Sequence, residues 1–99
     1  MKVFIYAYEN TYGGMHGINT LAVYDVSTLV EADEIGFDMA KEVTESYDCF
    51  DEMDNEELLE NCCWDVYVIK DEFQSIPTGE LDTLCCDLGC DLFTDKYCK

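Results

Sequence analysis

The sequence lacks arginine, and this absence limits what the chain can bind. All five basic residues are lysines, against 23 acidic residues. Arginine is the usual bidentate ligand of phosphate and carboxylate groups, so a chain without it is poorly equipped to hold nucleic acids, nucleotides or acidic substrates. The negative net charge also argues against an anionic membrane surface as a partner.

Side chains suited to catalysis are scarce. His16 is the only histidine, it lies in a glycine-rich stretch with no sign of a partner thiol, and no G-x-S-x-G motif occurs. Paired carboxylates are so numerous that no single pair stands out as a general acid and base. We therefore predict that the protein is not an enzyme and has no catalytic residue and no cofactor.

The chain shows no segment typical of export or of membrane insertion. Its first residues, MKVFIYAYEN, contain no basic stretch followed by an apolar run and a cleavage site. No apolar run approaches the length of a transmembrane helix. The sequence therefore predicts a cytoplasmic protein with its seven cysteines mostly reduced.

The composition favours a folded chain with one hydrophobic core. Of the 99 residues, 48% are hydrophobic and 13% are aromatic, which is enough to fill a core of modest size. Disordered acidic segments are poor in aromatic and β-branched residues, and this chain is not. We expect residues 1–99 to form a single compact domain.

Three segments have the β-branched and aromatic character of strands. Residues 2–8 carry apolar side chains on both faces, which predicts a central strand. Residues 18–26 predict a second strand, antiparallel to the first. Residues 63–73 predict a third, with Trp64, Val66 and Val68 on one face.

Helical patterns occupy the rest of the chain. Thr28 stands three residues before Glu31, a capping box that predicts a helix of about 17 residues. Asp54 and Glu57 predict a shorter second helix in the same way. A third helical pattern runs through the C-terminal segment, where Gly89 would end or bend it. The apolar stripes of the first and third helices are Ala32, Ile35, Met39, Val43 and Tyr47, and Leu81, Leu84, Cys85, Leu88 and Leu92.

The order of the predicted elements is strand, strand, helix, helix, strand, helix. Segregated strands and helices of this kind are typical of an α+β fold. We predict a small, mainly antiparallel three-stranded sheet with two or three helices packed on one face.

The surplus of negative charge is the main indication of function. A net charge of about 2–8 already keeps a small domain soluble, whereas this chain carries −18. Repulsion between the carboxylates opposes folding, so we interpret the excess as complementary to a basic partner. Ten acidic residues are the candidate partner-binding residues: Glu31, Glu34, Asp38, Glu42, Glu45, Asp51, Glu52, Asp54, Glu56 and Glu57.

Rows of carboxylates on a helix approximate the charge density of nucleic acid. Residues three or four apart on a helix are separated by about 4.5–6 Å along its axis, and phosphates of one DNA strand by about 3.4 Å. A groove lined with lysine and arginine for DNA or guide RNA should attract such a surface. Aromatic residues such as Tyr12 or Tyr47 would then fill its apolar pockets.

In its small size, its missing arginines and acidic runs such as EADEIGFD and DEMDNEELLE, the chain resembles the acidic proteins by which phages and mobile elements counter host defence. These are the DNA-mimicking anti-restriction and anti-CRISPR inhibitors, and the resemblance is one of general character. It implies that the chain occupies the nucleic-acid groove of a nuclease and has no catalytic activity of its own.

Three other readings remain open at this point. The chain could be an acidic adaptor that binds another basic protein away from any nucleic-acid site. It could be a cysteine metal-binding module, although adjacent cysteines lack the spacing of tetrahedral zinc sites and no EF-hand pattern occurs. An exposed aromatic face of the sheet could form a homodimer. The residues concerned are Cys62, Cys63, Cys85, Cys86, Cys90 and Cys98 for the metal, and Phe4, Tyr6, Tyr8 and Tyr24 for the dimer.

Overall fold

The fold consists of a three-stranded antiparallel sheet and three α-helices within the part that the structure describes. That structure is a computed structural model, and it describes residues 1–9, 19–45 and 62–99. The elements are β1 (Lys2–Glu9), β2 (Asn19–Asp25), α1 (Leu29–Glu45), β3 (Cys62–Val68), a 3-10 helix (Asp71–Phe73), α2 (Thr78–Leu88) and α3 (Cys90–Tyr97). The predicted α+β class is confirmed.

Strand β1 lies at the centre of the sheet, between β2 and β3. Both neighbours are antiparallel to it, and Ile5 pairs with Ala22 on one side and with Val66 on the other. A central strand has both edges hydrogen-bonded and both faces available for burial. The prediction of a central first strand is therefore confirmed.

The helices cover both faces of the sheet, so the prediction that they pack on one face is wrong. Val3, Ile5 and Ala7 of β1 are buried with residues of α1. Phe4, on the opposite face, is buried with residues of α2 and α3, among them Phe93. Because successive side chains of a strand point to opposite faces, a strand that is apolar throughout needs cover on both sides.

Helix α1 begins and runs as its sequence predicts. The backbone N–H of Glu31 donates to Oγ1 of Thr28 at 3.2 Å, and Oε2 of Glu31 accepts from the N–H of Ser27 at 3.3 Å. The first bond satisfies a donor that the first turn of the helix leaves unpaired, and the second joins the side chain of Glu31 to the residue before the cap. The predicted stripe is buried at Ala32, Met39 and Val43.

The C-terminal helical pattern is broken at Gly89, which has φ 81° and separates α2 from α3. A residue in this region of φ ends a helix, and glycine enters it without steric penalty. The break changes which residues face the core, because Phe93 and Tyr97 are buried while Leu92 is 63% exposed. Leu92 therefore does not continue the stripe of α2.

The third strand is shorter than predicted. It ends at Val68, and a 3-10 helix follows from Asp71 to Phe73. The side chain of Gln74 joins this turn to the start of β1: its Oε1 accepts from the N–H of Lys2 at 2.8 Å, and its Nε2 donates to the carbonyls of Lys2 and Ile69.

Several predictions fall on residues outside the described ranges. They concern the second predicted helix, His16, Tyr12 and Tyr47. The acidic residues Asp51, Glu52, Asp54, Glu56 and Glu57 also lie outside the described residues.

Candidate protein-binding surface

The described candidate acids of α1 lie on its outward surface. Glu31, Glu34, Asp38 and Glu42 are all exposed, on the side away from the buried stripe. Glu45 is the last residue of the helix, and only its backbone is described. Helix geometry spaces the four described carboxylates by about 4.5–6 Å along the axis.

Within the described ranges, two ion pairs are formed, and neither involves α1. The N-terminal ammonium lies 3.0 Å from Oδ1 of Asp25, and Nζ of Lys99 lies 3.1 Å from Oδ1 of Asp71. The hydrogen bond from the ammonium lowers the pKa of Asp25 below its ordinary value. Among the described residues, no ion pair therefore neutralises a carboxylate of the α1 row.

Exposed carboxylates also occur on the opposite face of the molecule. Helices α2 and α3 expose Glu80, Asp87, Asp91 and Asp95. Charge alone therefore does not distinguish α1 from the face formed by α2 and α3. The two faces differ in the surface depressions that lie beside α1.

A first depression lies between α1 and β3, with a volume of about 470 Å³, and it combines carboxylates with aromatic rings. Its lining residues are Asp33, Glu34, Phe37, Asp38 and Trp64. The indole Nε1 of Trp64 donates to Oδ1 of Asp33 at 2.7 Å. The ring of Phe37 meets that of Trp64 edge to face, with centroids 5.7 Å apart.

Gly36 allows the indole to approach α1 so closely. A Cβ at this position would lie 2.3 Å from Cδ1 and 2.8 Å from Cγ of Trp64. Real Cβ atoms do not make contacts this short, so any other residue would displace the ring or the helix. The absent side chain of Gly36 thus positions Trp64 beside the carboxylates.

A second depression, of about 450 Å³, adjoins the first and is mainly apolar. It is lined by Leu29, Val30, Asp33, Val66 and Val68. Leu29 is 54% exposed and Val30 69% exposed. Because Asp33 lines both depressions, we treat them as one feature, the α1–β3 groove.

The sequence did not predict most of the residues of this groove as partner-binding residues, although it placed Trp64, Val66 and Val68 on one face of a strand. Leu29 and Val30 fall outside the apolar stripe of α1, which is a signal that they are not core residues. Asp33 belongs to an acidic run but was not among the ten candidates. Only Glu34 and Asp38 of the groove were predicted as partner-binding residues.

The predicted aromatic dimer face is not present. Phe4 is fully buried, with its ring centroid 4.8 Å from that of Phe93. Tyr24 packs on the other face of the sheet, with the core that contains α1. Tyr6 and Tyr8 stack on each other, and burial raises the pKa of both phenols. The four residues do not share one exposed surface.

Cys85, Cys86, Cys90 and Cys98 are free thiols in different environments. Burial raises the pKa of Cys85 to about 12 and that of Cys98 to about 11. Cys86 and Cys90 are four residues apart but lie on separate helices. Across residues 1–9, 19–45 and 62–99, no three histidine, cysteine, aspartate or glutamate side chains converge as metal ligands would.

None of the described helices combines the length and the apolar character needed to cross a bilayer. Comparison of the chain with protein-family models, with curated proteins and with solved structures gives no match.

Proposed function

We propose that this protein is an inhibitor that occupies the basic nucleic-acid-binding groove of a bacterial defence nuclease, of the restriction or the RNA-guided type. The observation that carries the proposal is the row of exposed carboxylates on α1 beside the α1–β3 groove: Glu31, Glu34, Asp38 and Glu42. The described ion pairs leave this row unneutralised. The protein would act by binding, in the cytosol that contains the nuclease, without a cofactor.

The spacing of the row supports a mimic of nucleic acid. Its carboxylates recur every 4.5–6 Å or so along the helix, within about a factor of two of the phosphate spacing in one DNA strand. Lysine and arginine side chains that hold a phosphate backbone would thus meet anionic oxygens at comparable intervals. Charge steering of this kind raises association rates and weakens as salt increases.

A matched pair of charge reversals tests the proposal. The first variant carries Glu34→Lys, Asp38→Lys and Glu42→Lys, which leave the cap of α1 intact. The second carries Glu80→Lys, Asp87→Lys and Asp95→Lys on the opposite face. Each variant removes three negative charges and adds three positive ones, so both change the formal net charge from −18 to −12.

The assay is cleavage of plasmid DNA by a panel of purified restriction enzymes and guide-loaded RNA-guided nucleases. We expect the parent protein and the α2–α3 variant to inhibit at least one nuclease, and the α1 variant to lose inhibition by about tenfold or more. Added duplex DNA should compete with the inhibitor. Equal inhibition by both variants, or none by the parent, would contradict the proposal.

The apolar part of the α1–β3 groove favours a second candidate function. Leu29 and Val30 have no counterpart in a phosphate backbone, and exposed aliphatic residues of this kind suit an ordinary protein interface. An acidic adaptor would bind its basic partner whether or not nucleic acid is already loaded. An inhibitor that mimics DNA would not bind a partner whose groove already holds nucleic acid. A binding assay with the DNA-loaded partner therefore separates the two functions.

A further inference from the structure

We infer that the α1–β3 groove anchors an aliphatic side chain of the partner protein, within a segment whose neighbouring residues are lysine or arginine. The inference deepens the proposed function and rests on it in taking the partner to be a cationic protein. It adds a specific contact to a surface so far defined by charge.

The apolar end of the groove would accept the aliphatic side chain. Leu29 and Val30 are each more than half exposed at the start of α1, and Val66 and Val68 of β3 also line this end. Covering apolar surface contributes about 25 cal/mol per Å². A partner side chain that excludes water from these residues would therefore stabilise the complex.

The acidic end of the groove determines the charge of the partner. Asp33, Glu34 and Asp38 line this end together with Trp64, whose indole donates to Asp33. Carboxylates favour a cation at this position, and the face of an indole adds a cation–π attraction. The same carboxylates would repel a phosphate or an acidic segment.

The two ends are close enough to receive one partner segment. They share Asp33 as a lining residue, and Trp64 and Val68 are four positions apart on β3, which corresponds to about 13 Å. An extended segment of about five residues, or a helix of about two turns, spans that length. A basic residue and an aliphatic residue on one face of such a segment would reach both depressions.

The chain offers a matched pair of substitutions for the test. Leu29→Ser and Leu92→Ser remove the same side chain from opposite faces of the molecule, at positions that are 54% and 63% exposed. Two synthetic amphipathic peptides serve as probes, one of leucine and lysine and one in which serine replaces every leucine. Trp64 is the only tryptophan, so its emission reports binding at the groove.

We expect the leucine–lysine peptide to change the emission of Trp64 and to bind the parent about tenfold more tightly than the serine–lysine peptide. Leu29→Ser should remove most of that difference, and Leu92→Ser should leave it unchanged. Equal effects of the two substitutions, or equal affinity of the parent for both peptides, would overturn the inference.

The nuclease assay separates this inference from the proposed function. If Leu29→Ser retains full peptide binding and full inhibition while the α1 charge reversal abolishes inhibition, the anchor is wrong and the mimic stands. If the groove binds the leucine–lysine peptide as expected but no nuclease is inhibited, occupation of a nucleic-acid groove is wrong.

Discussion

Trp64 of β3 and Asp33 of α1 are joined by a 2.7 Å hydrogen bond from the indole Nε1 to the carboxylate Oδ1. The bond connects an edge strand to the helix that carries the acidic row. It also places an aromatic ring in the acidic end of the α1–β3 groove. The position of the ring therefore depends on this pair and on Gly36 beside it.

Loss of the Asp33 carboxylate should loosen the indole. We expect Asp33→Ala to lower the free energy of unfolding by about 1 kcal/mol or less, because the hydrogen bond is exposed to solvent. Urea titration measures this change, and Trp64 emission reports the altered environment of the ring. Asp38→Ala is the control. Asp38 lines the same depression, but the one N–H group of the indole donates to Asp33. Equal effects of the two substitutions would show that the hydrogen bond between Trp64 and Asp33 does not hold the indole in place.

Two glycine substitutions should have opposite effects on stability. We expect Gly36→Ala to destabilise the protein by about 1–2 kcal/mol, because its Cβ would lie 2.3 Å from Cδ1 of Trp64 and overpacking exceeds the gain in helix propensity. Gly79→Ala, in the first turn of α2, meets no atom within 4 Å and should stabilise it by up to about 1 kcal/mol. Urea unfolding measures both. A stabilising Gly36→Ala would show that the indole does not pack as described.

The Gln74 side chain should stabilise the start of the central strand. Gln74→Leu removes its bonds to the N–H and carbonyl of Lys2 and to the carbonyl of Ile69, so we expect a loss of about 1–3 kcal/mol in the free energy of unfolding. The neighbouring exposed substitution Ser75→Ala is the control and should change it by less than about 0.5 kcal/mol. If Gln74→Leu behaves like Ser75→Ala, these bonds contribute little to stability.

Two buried thiols should make the fold sensitive to alkaline pH. Folding raises the pKa of Cys85 to about 12 and that of Cys98 to about 11, from an ordinary value of 9.0. The unfolded chain thus loses these protons at lower pH than the folded protein does. Their contribution to stability should be complete below about pH 9 and fall as pH rises through the folded pKa values. Urea unfolding at several pH values measures it.

Cysteine substitutions test the origin of this pH dependence. Cys85→Ala should reduce the loss of stability above about pH 9, even though it also removes a buried side chain. Thr83→Ala, at an exposed position of the same helix, removes no ionisable group and should leave the dependence unchanged. An identical pH profile for the parent protein and Cys85→Ala would exclude the buried thiol as the cause.

The local structure of the first half of the described chain follows directly from its residues. Strand β1 was predictable because β-branched and aromatic residues fill both of its faces, and α1 because Thr28 and Glu31 form a cap ahead of a 3.6-residue apolar period. Both patterns concern residues close together in the sequence, where backbone geometry alone relates them.

The faces of the sheet on which the helices pack were harder to predict, although the sequence contained one indication of them. A strand with Ile5 on one face and Phe4 on the other requires cover on both faces, which the prediction of helices on one face overlooked. The exposure of Leu92 was harder to foresee. It follows from the positive φ of Gly89, which ends α2 and changes the face that α3 presents to the core.

By itself the sequence determined the elements that depend on neighbours in the chain: the strands, the capped helix and its row of carboxylates. Only the tertiary structure decided that Leu29, Val30 and Asp33 meet Trp64, Val66 and Val68 to form the α1–β3 groove. About thirty residues separate these two segments, so no local period relates them. They come together because burial of both faces of β1 places α1 against β3.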